Sequence, residues 1–117
     1  MPHFIIHSSK DISETYTAQE INKEISRIAE STMLFDLLDI KVRVDFYDQY
    51  LVGNEEKSFI HVFAHIMEGR SELQRANLSK SIVTRLSIMF PSVDNIAMNV
   101  YEFEKNTYCN LKTLASK

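Results

Sequence analysis

Ser58-Phe59-Ile60-His61-Val62-Phe63-Ala64-His65-Ile66-Met67-Glu68-Gly69-Arg70-Ser71-Glu72-Leu73-Gln74 changes period in its middle. From Ser58 to Met67 the residues alternate. Ile60, Val62, Ala64 and Ile66 share one face and Phe59, His61, Phe63 and His65 the other, which predicts a strand. Glu68-Gly69-Arg70 breaks the run. Ser71 and Gln74 then have the spacing of a capping box, a hydroxyl at the helix cap and an amide three residues on. Leu78, Ile82, Leu86 and Met89 follow at helical spacing, and that helix must end before Pro91. Asn95 to Phe103 alternates again and closes a strand–helix–strand unit.

The first half of the chain repeats this order. Phe4-Ile5-Ile6 reads as a strand and Ser8 to Ser13 as a polar turn. Thr17 and Glu20 form another capping box, and Ile21, Ile25, Ile28 and Ala29 predict a helix from Ala18 to about Met33. Ile40 to Tyr50 alternates, with Ile40, Val42, Val44 and Phe46 on one side and Lys41, Arg43, Asp45 and Tyr47 on the other. Gly53-Asn54 is a turn. The expected fold class is α+β: two β-α-β repeats, about 1–52 and 57–104, forming a four-stranded mixed sheet with two helices on one face. Residues 105–117 form a polar tail with no assigned structure.

The helices can cover only one sheet face. Phe59, Phe63 and Tyr47 remain on the other, and monomers seldom leave such patches wet. Either a second copy in a closed ring covers them or the tail does.

The 117 residues suffice for one domain, with 44% hydrophobic and 25% charged residues. No apolar run approaches a membrane span, and no secretory leader is evident. A net charge of −3 without a basic block argues against nucleic acid. Cys109 is the only cysteine, so a reducing cytoplasm is expected. With two glycines in all, Gly-rich phosphate loops are excluded.

Four places carry candidate chemistry. Proline after the initiator methionine leaves a secondary amine at the N-terminus once Met1 is removed, anchored by the strand that begins at His3. Arg70 precedes a helix N-terminus, where anions are favoured. It is either a carboxylate binder or a solvated loop charge. Lys41 and Arg43 lie about 7 Å apart on one strand face and either serve a ligand or pair with Asp45 or Asp48. His3/His7 and His61/His65 have i, i+4 spacing, which suits zinc on a helix. On strands that spacing is about 13 Å, too far for one ion, so no metal site is expected.

Met1-Pro2-His3-Phe4-Ile5, the basic pair Lys41 and Arg43, Phe59-Ile60-His61-Val62, and Gly69-Arg70-Ser71 opening a helix together resemble the 5-carboxymethyl-2-hydroxymuconate isomerase family of the tautomerase superfamily. That superfamily includes 4-oxalocrotonate tautomerase and macrophage migration inhibitory factor. The resemblance covers nearly the whole chain in order of elements. It implies a tautomerase-like trimer of two-repeat subunits with active sites near subunit boundaries. It also implies Pro2 as the proton-shuttling base, Arg70 as a substrate-binding cation, a small-molecule carboxylate substrate and no cofactor. The family's strand arginine falls at Lys41, which keeps the charge and loses the bidentate fork; Arg43, on the same face, is the candidate to compensate. The implied activity is a keto–enol isomerisation in aromatic catabolism. The alternatives are a ring-forming interaction protein without catalysis, which a retained Met1 would favour, and an unrelated α+β domain.

Overall fold

A computed structural model describes residues 1–115. Four strands, β1 (His3–Ser9), β2 (Lys41–Tyr47), β3 (Phe59–Met67) and β4 (Asn95–Phe103), form one sheet in the order β2-β1-β3-β4. β1 pairs parallel with β2 and β3 parallel with β4, while the central pair β1–β3 is antiparallel. Helices α1 (Ala18–Ser31) and α2 (Glu72–Met89) are the crossovers of the two parallel pairs. The expected mixed sheet and its helical layer are therefore present. Both capping boxes are formed, Thr17 with Glu20 and Ser71 with Gln74.

The core lies between the sheet and the helices. Phe4 and Ile6 from β1 and Ile60, Val62, Ala64 and Ile66 from β3 pack against Ile21, Ile25 and Ala29 of α1 and Leu78, Ile82 and Leu86 of α2. Alternation in the strands and the helical spacing bring these residues to one side.

The region expected to be a polar turn at Ser8–Ser13 differs. β1 continues through Ser8 and Ser9, both buried. Ser9 Oγ accepts from Phe59 N at 3.1 Å and Ser8 Oγ donates to Ser9 O at 3.2 Å, so the hydroxyls are satisfied without water. A 3-10 turn, Lys10–Glu14, then buries Ile12. α1 stops two residues earlier than expected, at Ser31. β2 ends at Tyr47, short of Tyr50, and Asp48 leaves the strand to pair with Lys10 at 3.1 Å. The tail contains a 3-10 turn, Lys105–Thr107, and a short helix α3, Leu111–Ala115; its last two residues lie outside the described ones. Tyr108 stacks on Phe103 with ring centroids 5.1 Å apart. The tail thus packs at one end of the far sheet face, while Phe59 and Phe63 pack with Tyr47, Tyr50, His7 and His61.

Met33, just beyond α1, has φ 63° and an exposed side chain. A residue with a Cβ in the left-handed region costs about 1–2 kcal/mol. Met33→Gly is expected to raise stability by about 1 kcal/mol, read as a higher urea midpoint at unchanged m-value.

Candidate active site

Pro2 is buried at the end of the sheet where β1 begins, and its carbonyl accepts from Lys41 N at 3.1 Å. The parity that turns Phe4 and Ile6 toward the helices also turns Pro2 away from the far face. It lies on the wall of a cavity of about 250 Å3, lined by Met1, Pro2, Leu34, Phe35, Asp36, Asp39, Met67 and Arg70. Apolar groups make up much of this wall, with Asp36, Asp39 and Arg70 as its acidic and basic side chains.

Arg70 is half-buried and is not a solvated loop charge. Its Nη1 donates to Met67 O at 3.3 Å and its Nη2 to Leu34 O at 2.8 Å. The guanidinium lies 5.0 Å from the centre of the Phe35 ring, and Phe35 meets Phe4 edge-to-face at 5.9 Å. A continuous stack therefore joins the core to the cavity and holds the cation in place. Two of five guanidinium N–H bonds are used, which leaves donors for an anion. Gly69, with φ 122°, supplies the backbone turn that delivers Arg70 here. The first free N–H groups of α2 are partly spent in its own capping box, since Gln74 N donates to Ser71 Oγ at 3.1 Å. Anion attraction at this end accordingly rests on Arg70.

The strand cations are placed differently. Lys41 is exposed and its Nζ donates to Asp39 O at 2.9 Å, at the rim of the cavity. Arg43 contacts His3 Nδ1 at 3.2 Å and lines another hollow, of about 360 Å3, with Ile5, His65, Phe103 and Tyr108. Within one chain Pro2 and Arg70 come together, Lys41 stands nearby and Arg43 does not join them. Among the described residues neither strand cation is paired with Asp45 or Asp48.

The N-terminal amine shows the electrostatics of this corner. Its pKa lies below the usual α-amino value, first because burial penalises the ammonium; Lys41 and Arg70 lower it further, while Asp39 and Asp36 oppose. The Met1 amine is 4.0 Å from Asp39 Oδ2, and the Met1 sulfur accepts from Tyr108 Oη at 2.9 Å and Asn110 Nδ2 at 3.4 Å.

Sequence reasoning missed Leu34, Phe35, Asp36, Asp39 and Met67. Four of them belong to the connection between α1 and β2, which carries no periodicity. The available signal was a connection that is mostly apolar, Met33-Leu34-Phe35 and Leu37-Leu38, with Asp36 and Asp39 set into it.

Two parallel strand pairs joined antiparallel, with the helices on one face, are the fold of the tautomerase class. Solved structures agree on the fold. The chain is similar to a 5-carboxymethyl-2-hydroxymuconate isomerase from Deinococcus radiodurans R1 at 18% identity, covering 93% of this chain and 87% of that one, with a TM-score of 0.80. It is similar to a macrophage migration inhibitory factor-like protein from Entamoeba histolytica at 20% identity, covering 93% and 94%, with a TM-score of 0.74. A fused 4-OT described as a symmetric trimer matches at 14% identity, covering 97% and 98%, with a TM-score of 0.80. No curated protein matches. The family model for 5-carboxymethyl-2-hydroxymuconate isomerase matches residues 2–112, and the chain belongs to that family. It is an isomerase or tautomerase.

Proposed function

We propose that the protein is a cofactor-free keto–enol tautomerase in which Pro2, freed of Met1, is the general base. Its substrate is an unsaturated 2-hydroxy/2-oxo dicarboxylate of the 5-carboxymethyl-2-hydroxymuconate kind, met in aromatic catabolism in the cytoplasm. The observation that carries this reading is Pro2 buried in one cavity with Arg70. The chain acts as one tautomerase-like domain of two halves, about 1–52 and 57–104, with residues 105–117 as its tail, in a homotrimer like that of the fused 4-OT.

The proline nitrogen takes the proton from the dienol oxygen and returns it to the distal carbon, so the reaction is balanced without a second reagent. One base does both jobs when its pKa lies near working pH. At the Met1 amine burial lowers the pKa most, with Lys41 and Arg70 lowering it further, and a proline amine freed beside the same groups is pushed in the same direction. Arg70 holds one carboxylate through its free donors and stabilises the dienolate charge. Lys41 meets the second carboxylate at the rim. Arg43, on the far face, serves a site only where another copy adjoins it. Phe35, Leu34 and Met67 keep water from the dienolate.

Pro2→Ala, assayed by the spectroscopic ketonisation of 2-hydroxymuconate, tests this; unchanged turnover removes Pro2 from the mechanism. The pH profile tests the electrostatics. Asp39 favours the ammonium form of the Met1 amine; if it acts alike on the freed proline, Asp39→Asn is expected to move the acidic limb of kcat/KM to lower pH. A limb that stays or rises shows that Asp39 does not act on the base.

The second reading is a non-catalytic trimeric interaction protein. It is favoured by one observation, Met1 seated in the cavity with its sulfur on Tyr108 and Asn110. Mass spectrometry of protein from its native host separates the readings, because an intact Met1 there leaves Pro2 nitrogen a non-basic amide.

A further inference from the structure

The cavity of Pro2 and Arg70 has a neighbour. A second hollow, of about 400 Å3, is lined by Met1, Met67, Lys105, Asn106, Tyr108 and Thr113. Met1 and Met67 belong to both walls. Met67 is the last residue of β3 and stays in place. Met1 is bonded to the Pro2 nitrogen and leaves with processing. Its loss opens the two hollows into one another, with the freed amine at their junction.

The tail side of this junction is ordered by its own hydrogen bonds. Thr113 N donates to Asn110 Oδ1 at 2.8 Å and Asn110 N to Thr113 Oγ1 at 2.9 Å, the reciprocal pair of a capping box at the start of α3. A backbone N–H can only donate, so it fixes which end of the amide is oxygen and turns Asn110 Nδ2 toward Met1. The Tyr108 ring is held by its stack on Phe103, and Asn110 Nδ2 also donates to the Tyr108 hydroxyl at 3.4 Å. The root of the tail is tied down where Lys105 N donates to Glu68 Oε2 at 2.6 Å. Tyr108 and Asn110 are both half-buried. Two oriented donors, Tyr108 Oη at 2.9 Å and Asn110 Nδ2 at 3.4 Å, thus converge on the Met1 sulfur. A thioether is a weak acceptor. Once Met1 is gone these part-buried donors have lost even that partner, and an incoming oxygen satisfies them better. Lys105 is the only charged side chain on this wall among the described residues, so an anionic oxygen suits it best.

We propose that Tyr108 and Asn110 are substrate-binding residues, which take a carboxylate-bearing arm of the substrate into the space Met1 vacates, with Lys105 as the cation beside them. The proposal rests on the reading of Pro2 as a processed N-terminal base and adds the second end of its site. Arg70 stands on the wall of the first hollow and Lys105 on that of the second. A substrate held by both lies across the junction where the amine sits. The tail therefore sets specificity, favouring an acid with an anionic branch over an unbranched dicarboxylate.

The test uses the chain with Met1 removed, checked by mass. kcat/KM is measured on 2-hydroxymuconate, which lacks the arm, and on 5-carboxymethyl-2-hydroxymuconate, which carries it. The unaltered chain is expected to prefer the branched substrate. Tyr108→Phe keeps the ring stack and Asn110→Asp keeps the acceptor for Thr113 N. Each is expected to lower the ratio of the two kcat/KM values about 10-fold, the scale of a hydrogen bond to a charged group. A residue that only braces the fold lowers both values alike, so an unchanged ratio overturns the proposal. Should Asn110→Asp release α3, Tyr108→Phe carries the test alone. Calorimetric binding of adipate and 2-carboxymethyladipate, which have no enol to turn over, reads the same preference without catalysis. Tighter binding of the branched acid, lost in the variants, supports the proposal even where neither substrate turns over, an outcome that overturns the proline-base reading alone. Equal binding of the two acids by the unaltered chain overturns the proposal and leaves that reading standing.

Discussion

A chain carrying an uncleaved peptide ahead of Pro2 is expected to turn over about 10²–10⁴-fold more slowly than the chain with Met1 removed, the range of a general base. The reason is local. Acylation converts the proline nitrogen into a tertiary amide, whose lone pair is delocalised into the carbonyl and takes no proton near neutral pH. The preceding residue also takes up part of the cavity, as Met1 does beside Phe35, Met67 and Arg70. The fold should be unaffected, because Pro2 enters the sheet through its carbonyl, which accepts from Lys41 N, and a proline offers no N–H to lose. Equal turnover by the extended and processed forms, each checked by mass, excludes the N-terminal amine from the chemistry. Pro2→Ala is expected to fall between the two, since a processed alanine keeps an amine but not the ring that restricts its direction.

Arg70→Ala has the next largest expected effect, a loss of about 10²-fold in kcat/KM, equivalent to the roughly 1.5–3 kcal/mol of a hydrogen bond to a charged group. Arg70 also braces the fold through Leu34 O and Met67 O. Removing it costs about 1–3 kcal/mol in stability by leaving part-buried carbonyls without a donor. The two roles separate experimentally. If stability drops while kcat/KM on a dicarboxylate holds, Arg70 is a brace and the carboxylate binder lies elsewhere. Arg70→Lys retains charge but cannot span both carbonyls and a carboxylate at once, so it should recover only part of each loss.

Much of the architecture was legible because it depends on near neighbours in the chain. The capping boxes at Thr17–Glu20 and Ser71–Gln74 need only four consecutive residues to be recognised. The inward faces of β1 and β3 follow from a period of two, and those of α1 and α2 from spacing by three and four. Ser8 and Ser9 were misread for the complementary reason. Two serines look solvated until β3 supplies the backbone groups that satisfy Ser9. Arg70 was legible as a charge at a helix mouth, whereas the Leu34 carbonyl it binds and the Phe35 ring beneath it come from a stretch that begins 36 residues earlier in the chain.

The sequence by itself determined the order of strands and helices, the two capped crossovers, the core residues, and Pro2 with Arg70 as candidates, because each is written in local spacing or in a single residue's chemistry. Tertiary structure alone decided which candidates meet. The parallel and antiparallel registers put Pro2 and Arg70 into one cavity, send Arg43 to the opposite face, and draw four histidines from two strands onto a single surface. Register depends on contacts between residues some sixty positions apart, and a one-residue slip would exchange the faces. Periodicity within one strand shows which residues share a side, while pairing with its neighbours sets what stands beside them.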